Sequence, residues 1–316
     1  MEKEIYRRNL YNSLGENARS FILTQHAINP KGFTVDPVFP DSFLTQTHIQ
    51  DLESCKDNQD IRIRTTGSKV FFYYKSEKWS VIKHVYNRIK ETFKGPEQDF
   101  LKTVAVAMYR YETIYMLNGM SASVPPRIYE QIRQVVRNPV ECFASLFNHT
   151  LPSYHGIFSE LEKDFGCLGN FFLLEKPAGF MVCNPPFQRE VMNRFVEHLL
   201  ALIERAEGTA LVILPAFDTD DRDRLNDICR CKYPVDYITD VNTQILKQSN
   251  RTMWYALYCK ESFPYQDMIK NKTICYTSTL VLLISSERDT ATWNKVVSFL
   301  PKPDIEFITS GVKYPE

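Results

Sequence analysis

An α/β fold, with an open sheet in the second half and a mainly helical first half, is what this 316-residue sequence predicts. Three observations carry that reading. Phe180-Met181-Val182-Cys183 is a short apolar strand that runs through an Asn-Pro-Pro-aromatic turn into an amphipathic segment, and residues 209–214 then form a second apolar strand. Beyond Tyr233, three stretches rich in β-branched and aromatic residues read as further strands. Upstream, apolar residues at three- and four-residue spacing over roughly 77–94 and 97–117 read as helices.

The crossover is the best-defined element. After the turn, Val191, Met192, Phe195, Leu199, Leu202 and Ile203 recur on one helical face, and Gly208 follows as a stop. The later strands are expected at 235–241, 252–259 and 273–284. In the first half, residues 5–28 show mixed helical periodicity, and 29–60, rich in Pro, Asp and Thr, read as irregular. Residues 61–64 and 69–75, joined by Thr65-Thr66-Gly67-Ser68, suggest a hairpin. The helix after Pro96 presents Leu101, Val104, Met108, Tyr111 and Tyr115, and a short helix follows Pro125-Pro126. With the join near 119–126, the expectation is a mainly helical N-terminal domain over 1–120 and a sheet domain over 121–316.

Composition narrows the function classes. Lys+Arg and Asp+Glu number 38 each, so a nucleic-acid partner has to be held by a local patch rather than by bulk charge. The eight cysteines contain no Cys-x-x-Cys pair, and Cys229-Arg230-Cys231 has the wrong spacing for a zinc knuckle; they read as reduced, mostly buried thiols of an intracellular protein. No metal site is expected. The start is charged in both signs and lacks an apolar core, unlike a signal peptide. No apolar run approaches the ~18 residues of a membrane span, so a soluble protein with no membrane partner is expected.

Asn184-Pro185-Pro186-Phe187 resembles the acceptor-site signature of methyltransferases that modify an exocyclic amine. An exocyclic amine such as N6 of adenine is a poor nucleophile, because its lone pair is delocalised into the ring. Two acceptors aimed at its hydrogens, the Asn184 side-chain carbonyl and the Pro185 backbone carbonyl, would draw that lone pair out of the plane as charge develops. The prolines stiffen the turn, and Phe187 offers a flat face for a flipped or unpaired base. The carboxyl ends of the strands of an open α/β sheet are where ligands bind. As a bare tetrapeptide the segment could equally be an ordinary turn.

Two upstream segments make the assignment specific. Glu141-Cys142-Phe143-Ala144-Ser145, with Asn148 three residues on, resembles the Glu-Cys-Phe-Ala-Ser-Pro-Leu-Asn segment of the cap-specific adenosine N6-methyltransferase family, also called phosphorylated-CTD-interacting factors. Phe165-Gly166-Cys167-Leu168-Gly169-Asn170-Phe171-Phe172 resembles that family's Phe-Gly-Ser-Leu-Gly-Ser-Phe-Phe, and Asn184–Phe187 follows in the family's order. The resemblance implies a Rossmann-like class I methyltransferase fold and methyl transfer from S-adenosylmethionine to N6 of the adenosine beside a 7-methylguanosine cap of RNA. It implies a cofactor pocket bordered by Glu141, Phe143, Ala144, Ser145 and Asn148, with Phe165, Gly166 and Leu168 on the facing loop and Asn184 at the acceptor side. Asn184, Pro185, Pro186 and Phe187 would be the catalytic residues.

The chain also departs from the family. Leu146 stands where the family has a turn-fixing proline, and Cys167 replaces a serine. Pro215-Ala216-Phe217 replaces Pro-Glu-Trp, which puts acceptor preference in question. Its three tryptophans are too widely spaced for the WW module of animal members, so no WW-mediated polymerase contact is expected. Candidate RNA contacts are Arg110, Arg127, Arg189 and Phe217, with Arg133, Arg137 and residues 247–251 nearby. Tyr109, Tyr111 and Tyr115 could sandwich a methylated guanine, although their helical spacing favours a core role. Rival readings are an adenine-N6 enzyme acting on internal RNA or DNA sites, a non-catalytic cap- or RNA-binding homologue, and a protein-glutamine methyltransferase.

Overall fold

The computed structural model describes residues 1–56, 61–114, 122–216, 241–259, 262–274 and 278–315. Residues 235–240 of the expected strand 235–241, the contact at Phe217 and the ring of Tyr115 lie outside these residues, and Val241 opens a helix instead. Two helices open the chain, α1 (Glu2–Ser13) and α2 (Glu16–Ile28). A third, α3 (Gln46–Ser54), occupies part of the stretch expected to be irregular. It forms there because Thr45 and His48 close a reciprocal cap at its start: the His48 amide donates to Thr45 Oγ1, and the Thr45 amide donates to His48 Nδ1.

The hairpin is present as β1 (Arg62–Thr66) and β2 (Lys69–Tyr74), and a third antiparallel strand, β3 (Glu77–Ile82), is added to it. Residues 77–82 were expected to begin a helix, which instead starts as α4 (Lys83–Thr92). Within 77–82 the period is two. Trp79 and Val81 are buried against Phe72 and Val70 on β2, and Lys78 points outward. Cross-strand pairing therefore overrides helical propensity. The long helix α5 (Glu97–Ile114) follows Pro96, and it buries Val104, Met108 and Tyr111 in a core shared with α1 and β2–β3. Tyr109 is also buried, so neither tyrosine presents a free aromatic face.

Beyond β4 (Ala122–Ser123) and α6 (Pro126–Val135) lies the main sheet. Its strands are β5 (Val140–Cys142), β6 (Tyr154–His155), β7 (Phe180–Cys183), β8 (Thr209–Pro215), β9 (Thr252–Tyr258), β12 (Thr279–Ser285) and β13 (Ile305–Ile308), in the order β13-β9-β12-β8-β7-β5-β6. The four strands β6, β5, β7 and β8 run parallel, and β12, β9 and β13 alternate in direction beyond them. The stretch 273–284, expected as one strand, divides. β11 (Lys272–Ile274) joins β10 (Tyr265–Asp267) and β4 in a small sheet, and β12 enters the main one.

Both faces of the main sheet are covered, which is why its central strands read as continuous apolar runs. Along β8, Ala210, Val212 and Leu214 pack on one side with the helix α8 (Arg189–Arg205), which follows the single-turn α7 (Ser159–Glu162). Leu211 and Ile213 pack on the other side with α6 and with α10 (Thr290–Ser298), the helix that follows α9 (Val241–Gln248). In α8 the predicted stripe of Val191, Met192, Phe195, Leu199, Leu202 and Ile203 is buried, each fully buried side chain contributing about 1.5–3 kcal/mol. Gly208 lies beyond the helix stop, which falls at Ala206. Among the described residues no helix is long and apolar enough to cross a membrane.

Candidate active site

Sheet register brings the three motif segments to one edge. Cys142 at the end of β5 is level with Cys183 at the end of β7 and with His155 at the end of β6. The segments that leave these strands, 143–148, 156 onward and 184–187, therefore emerge side by side. The chain first steps from β5 outward to β6 and then returns to β7 on the other side of β5. That reversal leaves a crevice at the carboxyl ends of the strands. Outside β6, Cys167 bridges to Tyr154, the Leu168 amide donates to Tyr154 O at 2.7 Å, and the Gly156 amide donates to Gly169 O at 3.1 Å. The 165–170 loop is thereby laid along the same edge.

The acceptor turn is stiff. The Gln188 amide donates to Pro186 O at 2.7 Å, Met192 N–H begins the helical ladder on Gln188 O, and Phe187 meets Tyr265 edge-on at 6.1 Å. Asn184 Oδ1 is shielded from solvent and has no hydrogen-bond partner among the described residues. An unpaired buried carbonyl oxygen costs roughly 1–3 kcal/mol, so Asn184 presents an acceptor for a donor that the described residues do not supply. Phe143, one residue beyond β5, has φ +64°, a left-handed conformation rare for an aromatic residue and of the kind that clusters at functional sites. Its ring packs on Phe171 at 4.7 Å, Phe172 at 5.7 Å and Phe195 at 5.5 Å, which ties the strand end to the core beneath α8.

Several residues expected at the cofactor are committed elsewhere. Glu141 is buried and accepts hydrogen bonds from Tyr129 Oη (2.9 Å), Ser123 Oγ (3.2 Å) and the amides of Thr150 (2.7 Å) and Leu151 (3.2 Å). Burial raises its pKa despite those donors. Its carboxylate braces the strand end from beneath and has no lobe left for a ribose or an ammonium. Asn148 Oδ1 accepts from the Ser145 amide and hydroxyl at 2.7 and 2.8 Å, so the pair closes its own turn. The Phe165 ring lies in the N-terminal core, 4.9 Å from Phe93. Gly166 has φ +98°, and a Cβ there would fall 2.1 Å from Pro152 O, so it admits the chain's own backbone rather than a ligand. Of the remaining residues, Phe143 and Ala144 directly follow β5, Leu168 has an exposed side chain and Asn184 is half-buried directly after β7.

Among the RNA candidates, Arg110 is not available. It is buried, with one nitrogen 2.7 Å from Glu4, another paired to Glu160 and its guanidinium 4.8 Å over the Phe158 ring. Arg127 is exposed on α6. The side chain of Arg189 and the whole of Phe217 lie outside the described residues.

Two groups at this edge carried no signal in the sequence. Glu162 is fully buried between Tyr111 Oη, Tyr154 Oη (2.9 Å) and the Leu146 amide (2.7 Å), and burial pushes its carboxyl up to about 7. His155 Nδ1 lies 3.1 Å from Gly169 O, its Nε2 is buried with no partner among the described residues, and burial lowers its pKa. One of two acids in a charged tetrapeptide and a lone histidine at a strand end look ordinary until the fold assembles their surroundings. One thiol also departs from expectation: Cys55, Cys142, Cys167 and Cys183 are free, but Cys259 is disulfide-bonded.

Comparison with known proteins agrees with the motif reading. The protein is similar to curated proteins named mRNA (2′-O-methyladenosine-N(6)-)-methyltransferase. One, from Mus musculus, is 25% identical over 165 residues, which is 48% of this chain and 23% of that relative. Another, from Homo sapiens, is 26% identical over 234 residues, 63% of this chain and 32% of the relative. The aligned part is thus about a quarter to a third of those relatives' length. The family described as phosphorylated CTD interacting factor 1 WW domain matches residues 81–248, just over half of the chain. That stretch contains no tryptophan, since Trp79, Trp254 and Trp293 all lie outside it. It does contain β5 through β8 and with them the Glu-Cys-Phe-Ala-Ser segment, the Phe-Gly loop and the Asn-Pro-Pro-Phe turn. On that match, the chain belongs to the phosphorylated CTD interacting factor 1 family.

Proposed function

We propose that this protein methylates N6 of an adenosine in RNA, using S-adenosylmethionine, and that the acceptor is the adenosine next to a 7-methylguanosine cap. The observation that carries the reading is the buried Asn184 Oδ1, without a hydrogen-bond partner among the described residues, at the switch point of the sheet. The strand order supports a Rossmann-like class I methyltransferase. Counted by entry into the main sheet, the first strand lies between the second and third, and the sixth is inserted antiparallel between the fourth and fifth. The names of the relatives support an mRNA adenosine-N6 acceptor carrying a 2′-O-methyl group.

When bound, the cofactor supplies an electrophilic methyl on a sulfonium. The backbone of Phe143 and Ala144, the side chain of Leu168 and Asn184 would border it. The Asn184 carbonyl accepts a hydrogen bond from the exocyclic amine and strengthens that bond as the nitrogen becomes tetrahedral. Pro185 and Pro186 hold the acceptor still, and Phe187, braced by Tyr265, covers one face of the base.

The test is methyl transfer from labelled S-adenosylmethionine to matched short RNAs beginning with adenosine, with and without a 7-methylguanosine cap and a 2′-O-methyl on the first nucleotide. Label in N6 of capped RNA alone, with a loss of at least ~100-fold in Asn184→Ala, is the expected result. Equal labelling of uncapped RNA would remove cap specificity. No labelling while the cofactor binds would sink the enzymatic reading.

A further inference from the structure

The three-stranded sheet β1-β2-β3 has two unlike faces. Its inner face carries Val70, Phe72, Tyr74, Trp79 and Val81 into the N-terminal core, and Glu77 there bonds Arg8 of α1 at 2.6 and 2.7 Å. On the outer face, Arg62 is paired in register with Tyr73 and Arg64 with Phe71. Lys78 and Ser80 stand opposite the same two rings on the third strand. Lys69 and Thr66 continue this face, and none of its registered positions is acidic.

Edge strands commonly carry charge to block pairing with other chains, which would account for Arg62, Arg64 and Lys78 alone. It does not account for two aromatic rings on the solvent face of the central strand. Phe71 and Tyr73 are only half-buried, with centroids 6.5 Å apart, and Lys78 Nζ lies 4.5 Å from one ring and 5.6 Å from the other. Arg62, Arg64, Lys69 and Lys78 have no ion-pair partner among the described residues. In a chain with no net charge, this is a local concentration of cations around a pair of half-buried rings, with the flexible Lys78 side chain over both.

We infer that this face is a docking platform for single-stranded RNA outside the acceptor turn, with one base on Phe71, the next on Tyr73, and phosphates along Arg62 and Arg64. The charge selects a polyanion. The ring spacing selects its form, since 6.5 Å is about twice the roughly 3.4 Å between stacked nucleotides and suits bases splayed from an extended strand. The platform lies upstream of the residues matched by the family, which begin at 81. The inference deepens the RNA half of the proposed function and makes no use of the methyl-transfer half.

The experiment is fluorescence anisotropy of the full chain with a labelled, unstructured RNA of about 16 nucleotides and with a duplex of the same sequence, over a salt series. Phe71→Ala/Tyr73→Ala is expected to weaken single-strand binding about tenfold or more, with an unchanged melting temperature. Arg62→Ala/Arg64→Ala is expected to flatten the slope of log affinity against log salt by about 1.4. Unchanged affinity in the aromatic variant, or equal losses on duplex and single strand, overturns the platform. The two readings fail separately. If the wild type methylates no RNA but the aromatic variant loses binding, the platform stands without the transferase. If Asn184→Ala abolishes transfer while both platform variants bind normally, the transferase stands without the platform.

Discussion

Glu162 sits on no surface, with a tyrosine hydroxyl on each side, the Leu146 amide on one oxygen and Glu160 adding repulsion, and its carboxyl titrates near 7 instead of 4.5. Burial outweighs the three donors that favour the charged form. The folded chain therefore holds this proton at pH values where the unfolded chain releases it. The stability due to the protonated form is full below about 4.5 and is lost as pH rises through about 7. Glu162→Gln keeps the neutral shape and removes the titration. The unfolding free energy of the wild type relative to this variant should fall by on the order of 3 kcal/mol between those values. Urea unfolding of both proteins across that range decides it, and parallel curves would refute the assignment. The sequence could not show this group, because its partners Tyr111, Leu146 and Tyr154 come from three separate segments.

Within the 165–170 loop, two glycines of like sequence context do different work. Gly166 and Gly169 both have φ near +100°, but a Cβ would meet Pro152 O at 2.1 Å in the first and nothing within 4 Å in the second. Gly169→Ala should cost only the left-handed backbone term of about 1–2 kcal/mol. Gly166→Ala adds a clash with main chain that can move only by displacing the bridge between Cys167 and Tyr154, so its cost should be at least double. Equal denaturation midpoints for the two variants would contradict the packing described. At this scale the sequence was informative wherever the determinants are local. Strand, acceptor turn and α8 occupy 180–205, and the helix is set by its own apolar stripe. It misled where pairing with a distant strand decides. Residues 77–82 follow β2 instead of the helix behind them, and 272–285 divides because Tyr265 and Pro215 recruit its two halves to different sheets.

The N-terminal layer is joined to the motif loops by charge as well as by apolar packing. Glu4 on α1 bonds Arg7 and Arg110, Arg7 reaches Asp36 at 2.7 Å, and Arg110 extends to Glu160 next to the Glu162 cluster. Asn170 adds two weak bonds to the end of α2. Arg110 looked like an RNA contact in the sequence because nothing within a helical turn of it is a partner, whereas Glu4 lies 106 positions away. Removing one member of a buried ion pair strands the other, at a cost of about 3–5 kcal/mol. Arg110→Ala leaves Glu4 with Arg7 as its remaining partner, so it should lower the unfolding free energy by less than that amount, and Glu4→Gln in the same background should restore part of it by neutralising the under-compensated carboxylate. Arg127→Ala, on an exposed helix position, should leave stability within about 0.5 kcal/mol. If Arg110→Ala instead melted like the wild type and lost only RNA affinity, the guanidinium would be a surface ligand and the buried bridge between the layers would be wrong. Partial rescue by Glu4→Gln separates the two, since a change at Glu4 has no route to RNA except through the folded layer.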